Sequence, residues 1–136
     1  MKRYLLALLL FVGWTQIGHA QQPIYNPINC GQTAVYDAST NGKTQLVPAV
    51  AGRTTYVCGY TVFAAGTVAV SLTSGTGTNC GTTSANITPA YQLTTQTGVV
   101  DGTDIVRGLK TNSGEELCIS TSLGVAVQAI VYYAQF

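Results

Sequence analysis

The sequence predicts an all-β protein: a single β-sandwich, jelly-roll-like, with about eight short antiparallel strands and two disulfides. Short runs of alternating apolar and polar residues recur along the chain, separated by turn-forming residues. No stretch shows the apolar stripe of an amphipathic helix. The chain has 136 residues and four cysteines, an even number that suits a small domain held by disulfides.

Residues 1–20 are typical of a secretory signal peptide that is cleaved after Ala20. They combine a basic start, a short apolar stretch at 5–12 and small residues around the cleavage point. The apolar stretch is well short of the roughly 20 residues that a membrane-spanning helix needs. We therefore expect residues 21–136 to form one β-sandwich domain that is secreted, periplasmic or extracellular, and not inserted in a membrane.

Three strands are predicted in the first half of this domain. Residues 34–39 alternate and are followed by a strong turn signal, Asn-Gly. Residues 45–50 contain Pro48, which restricts them to an edge or a bulge. Residues 54–64 give the clearest alternation. It places Tyr56, Cys58, Tyr60 and Val62 on one face and Val57, Thr61 and Phe63 on the other.

The second half supplies the remaining strands. Residues 67–73 alternate cleanly, with Val68, Val70 and Leu72 on one side, and a glycine-rich loop follows. Weaker alternation marks three further candidates, at 86–94, 104–110 and 115–120. Residues 124–136 form the longest and most apolar run, so we expect this last strand in the middle of a sheet. One side of it would carry Val125, Val127, Ala129, Val131 and Tyr133.

The four cysteines are Cys30, Cys58, Cys80 and Cys118. No two of them have the close spacing of a zinc site, and the single histidine lies in the predicted signal peptide. Four cysteines allow three pairings, of which we predict Cys30–Cys58 and Cys80–Cys118. Cys80 lies among Gly, Thr, Ser and Asn at 74–86, where a covalent tie to a strand would order the chain without apolar contacts.

Charge argues against nucleic-acid and strongly steered partners. Only 8% of the residues are charged. Beyond residue 20, four basic side chains face five acidic ones, and the basic ones form no cluster that could neutralise phosphates. The four are Lys43, Arg53, Arg107 and Lys110.

Catalytic side chains are scarce. Without histidine beyond residue 20, the usual general base and metal ligand are missing. Carboxylates remain, at Asp101 and Asp104 and at Glu115 and Glu116. A glycosidase needs two carboxyls across a cleft, but these residues fit turns better, and neighbouring strand residues point to opposite faces. Asp101 and Asp104 could lend oxygens to calcium, although a plain turn is the better interpretation. We predict no enzyme, no cofactor and no metal site.

Tyrosines are the enriched group with binding potential. They bury a large area at low entropic cost, although packing is the commoner role of strand tyrosines. The candidate interface residues are Tyr36, Tyr91, Tyr132 and Tyr133.

Several motifs carry a resemblance to a type of protein. They are INCGQTAVYDAST, TTYVCGY, GTGTNCG, GEELCIS and the final YYAQF, which together span nearly all of residues 21–136. The chain resembles small secreted or phage-associated jelly-roll-like sandwiches encoded by tailed phages, prophages and bacteria. The resemblance implies a decoration, adhesion or virion-surface role without an assigned activity. Because tailed-phage parts assemble in the cytoplasm, the export signal favours an exported accessory protein.

These observations predict an exported, non-catalytic protein with a structural or surface-interaction role. Its partner would be a protein or glycan surface, or a second copy of the chain. The alternative is a secreted glycan- or ligand-binding module of the adhesin type. The remote alternative is a glycoside hydrolase with a carboxylate pair. The lack of Trp beyond residue 20 counts against the stacking of sugars.

Overall fold

The computed structural model describes residues 30–102 and 108–136, in which nine strands form two antiparallel sheets. Sheet A contains, in spatial order, β1 (Gln32–Ala38), β9 (Val127–Gln135), β3 (Thr55–Ala64) and β7 (Thr97–Asp101). Sheet B contains β2 (Gly42–Val47), β8 (Glu116–Thr121), β4 (Val68–Thr76) and β5 (Thr82–Asn86), and β6 (Tyr91–Leu93) also pairs with β4. Within these residues, no helix has the length and apolar character needed to cross a bilayer.

The topology confirms the predicted jelly-roll type of sandwich. β5 and β6 pair with successive parts of β4, so they act as one interrupted strand. Counted that way, each sheet has four strands, and successive strands alternate between the sheets except at the β4–β5 hairpin. This alternation between two packed sheets is the jelly-roll arrangement.

The core lies between the sheets. Sheet A contributes Tyr36, Val62 and Val131, and sheet B contributes Leu72, Leu117 and Ile119, all buried. Full burial of an aliphatic side chain of this kind stabilises the fold by about 1.5–3 kcal/mol. As predicted, Val68, Val70 and Leu72 of β4 face the core together. The last strand lies between β1 and β3, which confirms its central position.

One predicted face assignment is wrong, because β3 contains a bulge. The pairing of β3 with β9 shifts between Val57 and Gly59, so Cys58 is an extra residue on β3. The shift reverses the alternation before it, and Val57 therefore joins Tyr60 and Val62 in the core.

Three segments differ from the predicted strands. β7 was not predicted, because its glycine and its position after a polar run hide the alternation of TGVVD. The strand predicted at 86–94 is interrupted around Pro89, which has no amide hydrogen to donate to a ladder. The strand predicted at 104–110 lies mostly outside the described residues, and Lys110 forms only an isolated bridge with Tyr56. β2 lies at the edge of its sheet, as predicted, but it spans Gly42–Val47 and ends before Pro48 instead of covering 45–50.

Both predicted disulfides are present. Cys30–Cys58 joins the segment before β1 to β3, and these two strands flank β9. Cys80–Cys118 joins the tip of the β4–β5 hairpin to β8. Residues 74–86 were expected to be a loop. They contain instead the end of β4, a short turn and β5. The predicted signal peptide at 1–20 lies outside the described residues.

Candidate interaction surface

The outward-facing side of sheet A exposes a group of apolar side chains, which we call the apolar face: Val35, Phe63, Val100, Ile130 and Tyr132. Residues that pair across antiparallel strands share a side of the sheet. Val35 pairs with Ile130, Ile130 with Thr61, and Thr61 with Val100, so four strands contribute to one row. Phe63 and Tyr132 belong to the rows on either side. The five apolar side chains are thus contiguous rather than scattered.

Exposure of this group is high. Val35 is 70% exposed, Val100 69% and Phe63 52%, while Tyr132 and Ile130 are 46% and 39% exposed. Single exposed apolar residues are common on soluble proteins, whereas a contiguous patch marks a site of interaction.

The apolar face has relief. The ring of Phe63 lies over Gly98 of the edge strand β7, where an added Cβ would be only 2.5 Å from that ring. Beside Phe63, a shallow depression of about 290 Å³ is lined by Val35, Thr61 and Ile130 among others. The ring on Gly98 forms one wall of this depression and gives the face a definite shape.

Charge is nearly absent from these rows. Asp37 is the one charged side chain in them, and it lies on the edge strand β1 beside Gln128. The Gln128 side-chain amide donates a hydrogen bond to the Asp37 carboxylate at 3.4 Å. The rows of the apolar face thus offer apolar contact and little electrostatic selectivity.

The outer side of sheet B is polar and partly covered. Lys43 and Gln45 of β2 lie in register with Ser120 and Cys118 of β8. The hairpin tip folds over this side, since Gly75 approaches Cys80 so closely that an added Cβ would lie 2.9 Å from the Cys80 Cβ. As a result, Cys80 and Cys118 are completely buried on the outer side of the sheet.

Polar contacts hold the hairpin tip together with the disulfide. Asn79 and Cys80 adopt left-handed backbone angles, φ 55° and 53°. The Asn79 side-chain oxygen accepts a hydrogen bond from the Gln45 amide at 3.0 Å, and the Glu116 carboxylate accepts one from the Cys80 amide at 3.0 Å. The Lys43 ammonium donates to the Ser84 hydroxyl at 2.6 Å. These hydrogen bonds fix the hairpin tip to β2, β5 and β8.

The acidic residues weighed for catalysis have structural partners or lie elsewhere. Glu115 accepts hydrogen bonds from the Ser74 hydroxyl and, at 3.0 Å, from the Asn112 amide group. Glu116 binds the hairpin tip, and Asp101 lies near Tyr60. Asp104 is outside the described residues. In the two depressions beside Phe63, Asp37 is the single acidic residue among the lining side chains.

The four candidate tyrosines have different positions. Tyr36 lies in the core, and its hydroxyl group shares a 2.6 Å hydrogen bond with Thr40. Tyr133 is half-buried against the core. Tyr132 alone of the four is exposed. The prediction of a tyrosine interface is thereby narrowed to Tyr132.

Tyr91 forms a link between the sheets. Its hydroxyl lies 2.5 Å from that of Tyr60, so β6 of sheet B contacts β3 of sheet A. Burial, together with the hydrogen bond to Tyr91 and the nearby Asp101 carboxylate, raises the pKa of Tyr60 above its ordinary value. Tyr60 therefore keeps its proton, and its hydroxyl group joins the two sheets through the hydrogen bond with Tyr91.

Cys80, Glu116 and Cys118 bring three potential metal-ligand atoms within 4.8 Å of one another. The two sulfurs are bonded to each other, however, and so offer no thiolate. This cluster is therefore a structural brace.

Sequence reasoning missed most of the apolar face. Of its five members, only Tyr132 was a candidate interface residue. A signal was present in the last strand, because Ile130 and Tyr132 alternate with Val131 and Ala129, which makes β9 apolar on both sides. A strand that is apolar on both sides predicts that both sides are covered.

Comparison with protein-family models, with curated proteins and with solved structures gave no significant match. Fold and surface together define the class: a disulfide-braced jelly-roll sandwich with one polar, covered outer side and one apolar, open outer side.

Proposed function

We propose that this chain is an exported, non-catalytic protein that acts by surface contact, and that the apolar face of sheet A is its contact surface. The single observation that carries the proposal is the contiguity of five exposed apolar side chains on four strands. Exposing such a patch costs solubility, so a persistent patch is expected to be covered in use.

Export is supported by the two disulfides, which form and persist in oxidising compartments. The basic and apolar start of the sequence supports it independently. In a small domain, two covalent braces hold the sheets rigid and keep a contact surface pre-organised.

A protein surface fits the apolar face better than a glycan does. Sugars are recognised by hydrogen bonds to hydroxyl groups as well as by ring stacking, and the rows of the face offer few polar side chains, such as Asp37, Gln128 and Thr61. The remaining contact is apolar, which is typical of the centre of protein–protein interfaces. The adhesin-like alternative would therefore engage a protein receptor.

The test compares native sizes in undisturbed culture fluid and in the same fluid after concentration. Wild-type protein should elute from size-exclusion chromatography above the monomer size in at least one of the two samples. A variant with Val35→Thr, Val100→Thr and Ile130→Thr should elute as a monomer, because threonine keeps the strand geometry and removes apolar contact. Intact mass should show a start at residue 21 and no free thiols.

Leu123→Thr is the matched control, because Leu123 is 50% exposed and lies between β8 and β9, outside the apolar face. It should leave the elution unchanged. A wild-type protein that elutes as a monomer both from undisturbed fluid and after concentration to several hundred micromolar contradicts the proposal.

A further inference from the structure

We propose that the partner of the apolar face is a second copy of this chain, in a two-fold dimer whose two A sheets pack face to face. This inference rests on the proposed function of that face and adds the identity of the occupant. In such a contact the same patch serves on both sides, so the patch must be complementary to itself.

The distribution of charge fits a self-contact. Interfaces with foreign partners commonly use complementary charges to select them, whereas the rows of this face contain one charged residue, Asp37. Asp37 lies at a corner, on the edge strand β1 and in an end row. A two-fold axis along or across the strands therefore places the two Asp37 carboxylates at different corners, and no like charges meet.

The shape of the face also fits. Sheets that pack face to face keep their strands within about 30° of each other and interdigitate their side chains. Here Phe63, Val35 and Ile130 line a shallow depression in the face. In face-to-face packing, apolar side chains of each copy cover the depression of the other.

The area buried between the two copies limits the affinity of the dimer. Four strands with the usual spacing and rise give a face of roughly 20 Å by 20 Å, so two copies would bury on the order of 1,000 Å². That is at the low end for specific interfaces. The dimer should therefore be reversible and depend on concentration, with a Kd in the micromolar range.

Sedimentation equilibrium of the purified, secreted protein tests the inference. From about 1 to several hundred micromolar, the wild type should change from monomer to dimer. Ile130→Asp should raise the Kd of the dimer by roughly tenfold or more, because each copy then places a charge at the water-free centre of the contact. Leu123→Asp, an equal change at an exposed apolar residue elsewhere, should have no effect. Circular dichroism checks that both variants fold.

A charge swap sharpens the test. Ile130 is near the centre of the face, on β9 between β1 and β3. Mixing Ile130→Asp with Ile130→Lys should restore a heterodimer, and failure to restore it counts against face-to-face packing.

Two other outcomes would show that the second copy is not the partner. The first is a wild type that is monomeric at every concentration. If a large complex still occurs in culture fluid in that case, the proposed function stands and the partner is a different protein. If the chain dimerises only after deletion of residues 21–29, which directly precede Cys30, that segment is the occupant.

Discussion

The two outer sides of the sandwich differ in what covers them. The outer side of sheet B is partly covered by its own hairpin tip, which a buried disulfide and the hydrogen bonds accepted by Glu116 and Asn79 hold in place. Sheet A exposes Val35, Phe63 and Val100, each more than half exposed, with nothing from the described residues over them. One outer side is partly covered by the chain itself, and the other stays exposed among the described residues.

The two outer sides differ in what they contribute to stability. Covalent and polar contacts on the outer side of sheet B stabilise the fold independently of any partner. The exposed apolar side chains on the outer side of sheet A add little to the stability of the monomer, because they stay in water. Substitutions on the two sides should therefore affect different measurements.

The largest effect is expected from Cys80→Ala combined with Cys118→Ala. The bridge spans 38 residues of sequence, and its loss should lower the free energy of unfolding by about 4 kcal/mol in the chain-entropy model. Urea unfolding at low protein concentration measures it. A loss below about 1 kcal/mol would mean that the hairpin tip is held without the bridge.

Adjacent residues of β9 offer the most direct comparison of core and outer side. Val131→Ala removes a fully buried side chain and should lower the free energy of unfolding by about 2 kcal/mol. In dilute protein, Ile130→Ala should lower it by less than about 1 kcal/mol, and its main effect should be weaker association. Equal costs in dilute protein would show that Ile130 is covered within the monomer.

Glu116 tests the polar part of the covering on sheet B. Glu116→Ala leaves the Cys80 amide without its acceptor and should cost about 1–3 kcal/mol. Glu116→Gln retains an acceptor oxygen and is the matched control, with a smaller loss. Hydrogen exchange at the Cys80 amide should be accelerated in the alanine variant and nearly unchanged in the glutamine variant. Equal exchange rates in the two variants would mean that this hydrogen bond does not hold the hairpin tip.

Thr73 offers a smaller effect of opposite sign. Its hydroxyl is completely buried on the outer side of sheet B and has no hydrogen-bond partner. Thr73→Val keeps the shape and removes the unsatisfied group, so it should stabilise the protein by about 1 kcal/mol. Thr61→Val, on the outer side of sheet A, should leave the stability of the monomer unchanged. A destabilised Thr73→Val variant would indicate a hydroxyl partner under the hairpin tip.

The pH dependence of the free energy of unfolding tests the interior between the two sheets, where Tyr60 is buried. The folded state raises the pKa of Tyr60, chiefly through burial. Its contribution to stability is therefore fully present below the ordinary tyrosine value of about 10 and is lost as pH rises above it. In urea unfolding between neutral and alkaline pH, Tyr60→Phe should show a shallower alkaline decline than the wild type. Parallel curves would contradict this.

The sequence allowed much of the sandwich to be predicted, for identifiable reasons. Alternation in β4, with Val68, Val70 and Leu72, survives because β4 is regular where it faces the core. Both cysteine pairs were also predicted correctly, although the sequence by itself leaves three pairings open.

The failures also have physical causes. The bulge at Cys58 reverses the alternation of β3, and nothing local in TTYVCGY marks where the extra residue falls. The apolar face could not be placed because it depends on register between four strands that are distant in sequence. Apolar residues on both sides of β9 were visible in the sequence, but which side is exposed is decided by the packing of the sheets.

Hydroxyl-radical footprinting of the wild type, below and above its association range, tests the central claim most directly. The account predicts that Phe63 and Tyr132 lose reactivity as the protein becomes concentrated. Leu123, an exposed apolar residue between β8 and β9, should keep its reactivity. Unchanged reactivity of Phe63 and Tyr132, or an equal loss at Leu123, would contradict face-to-face packing.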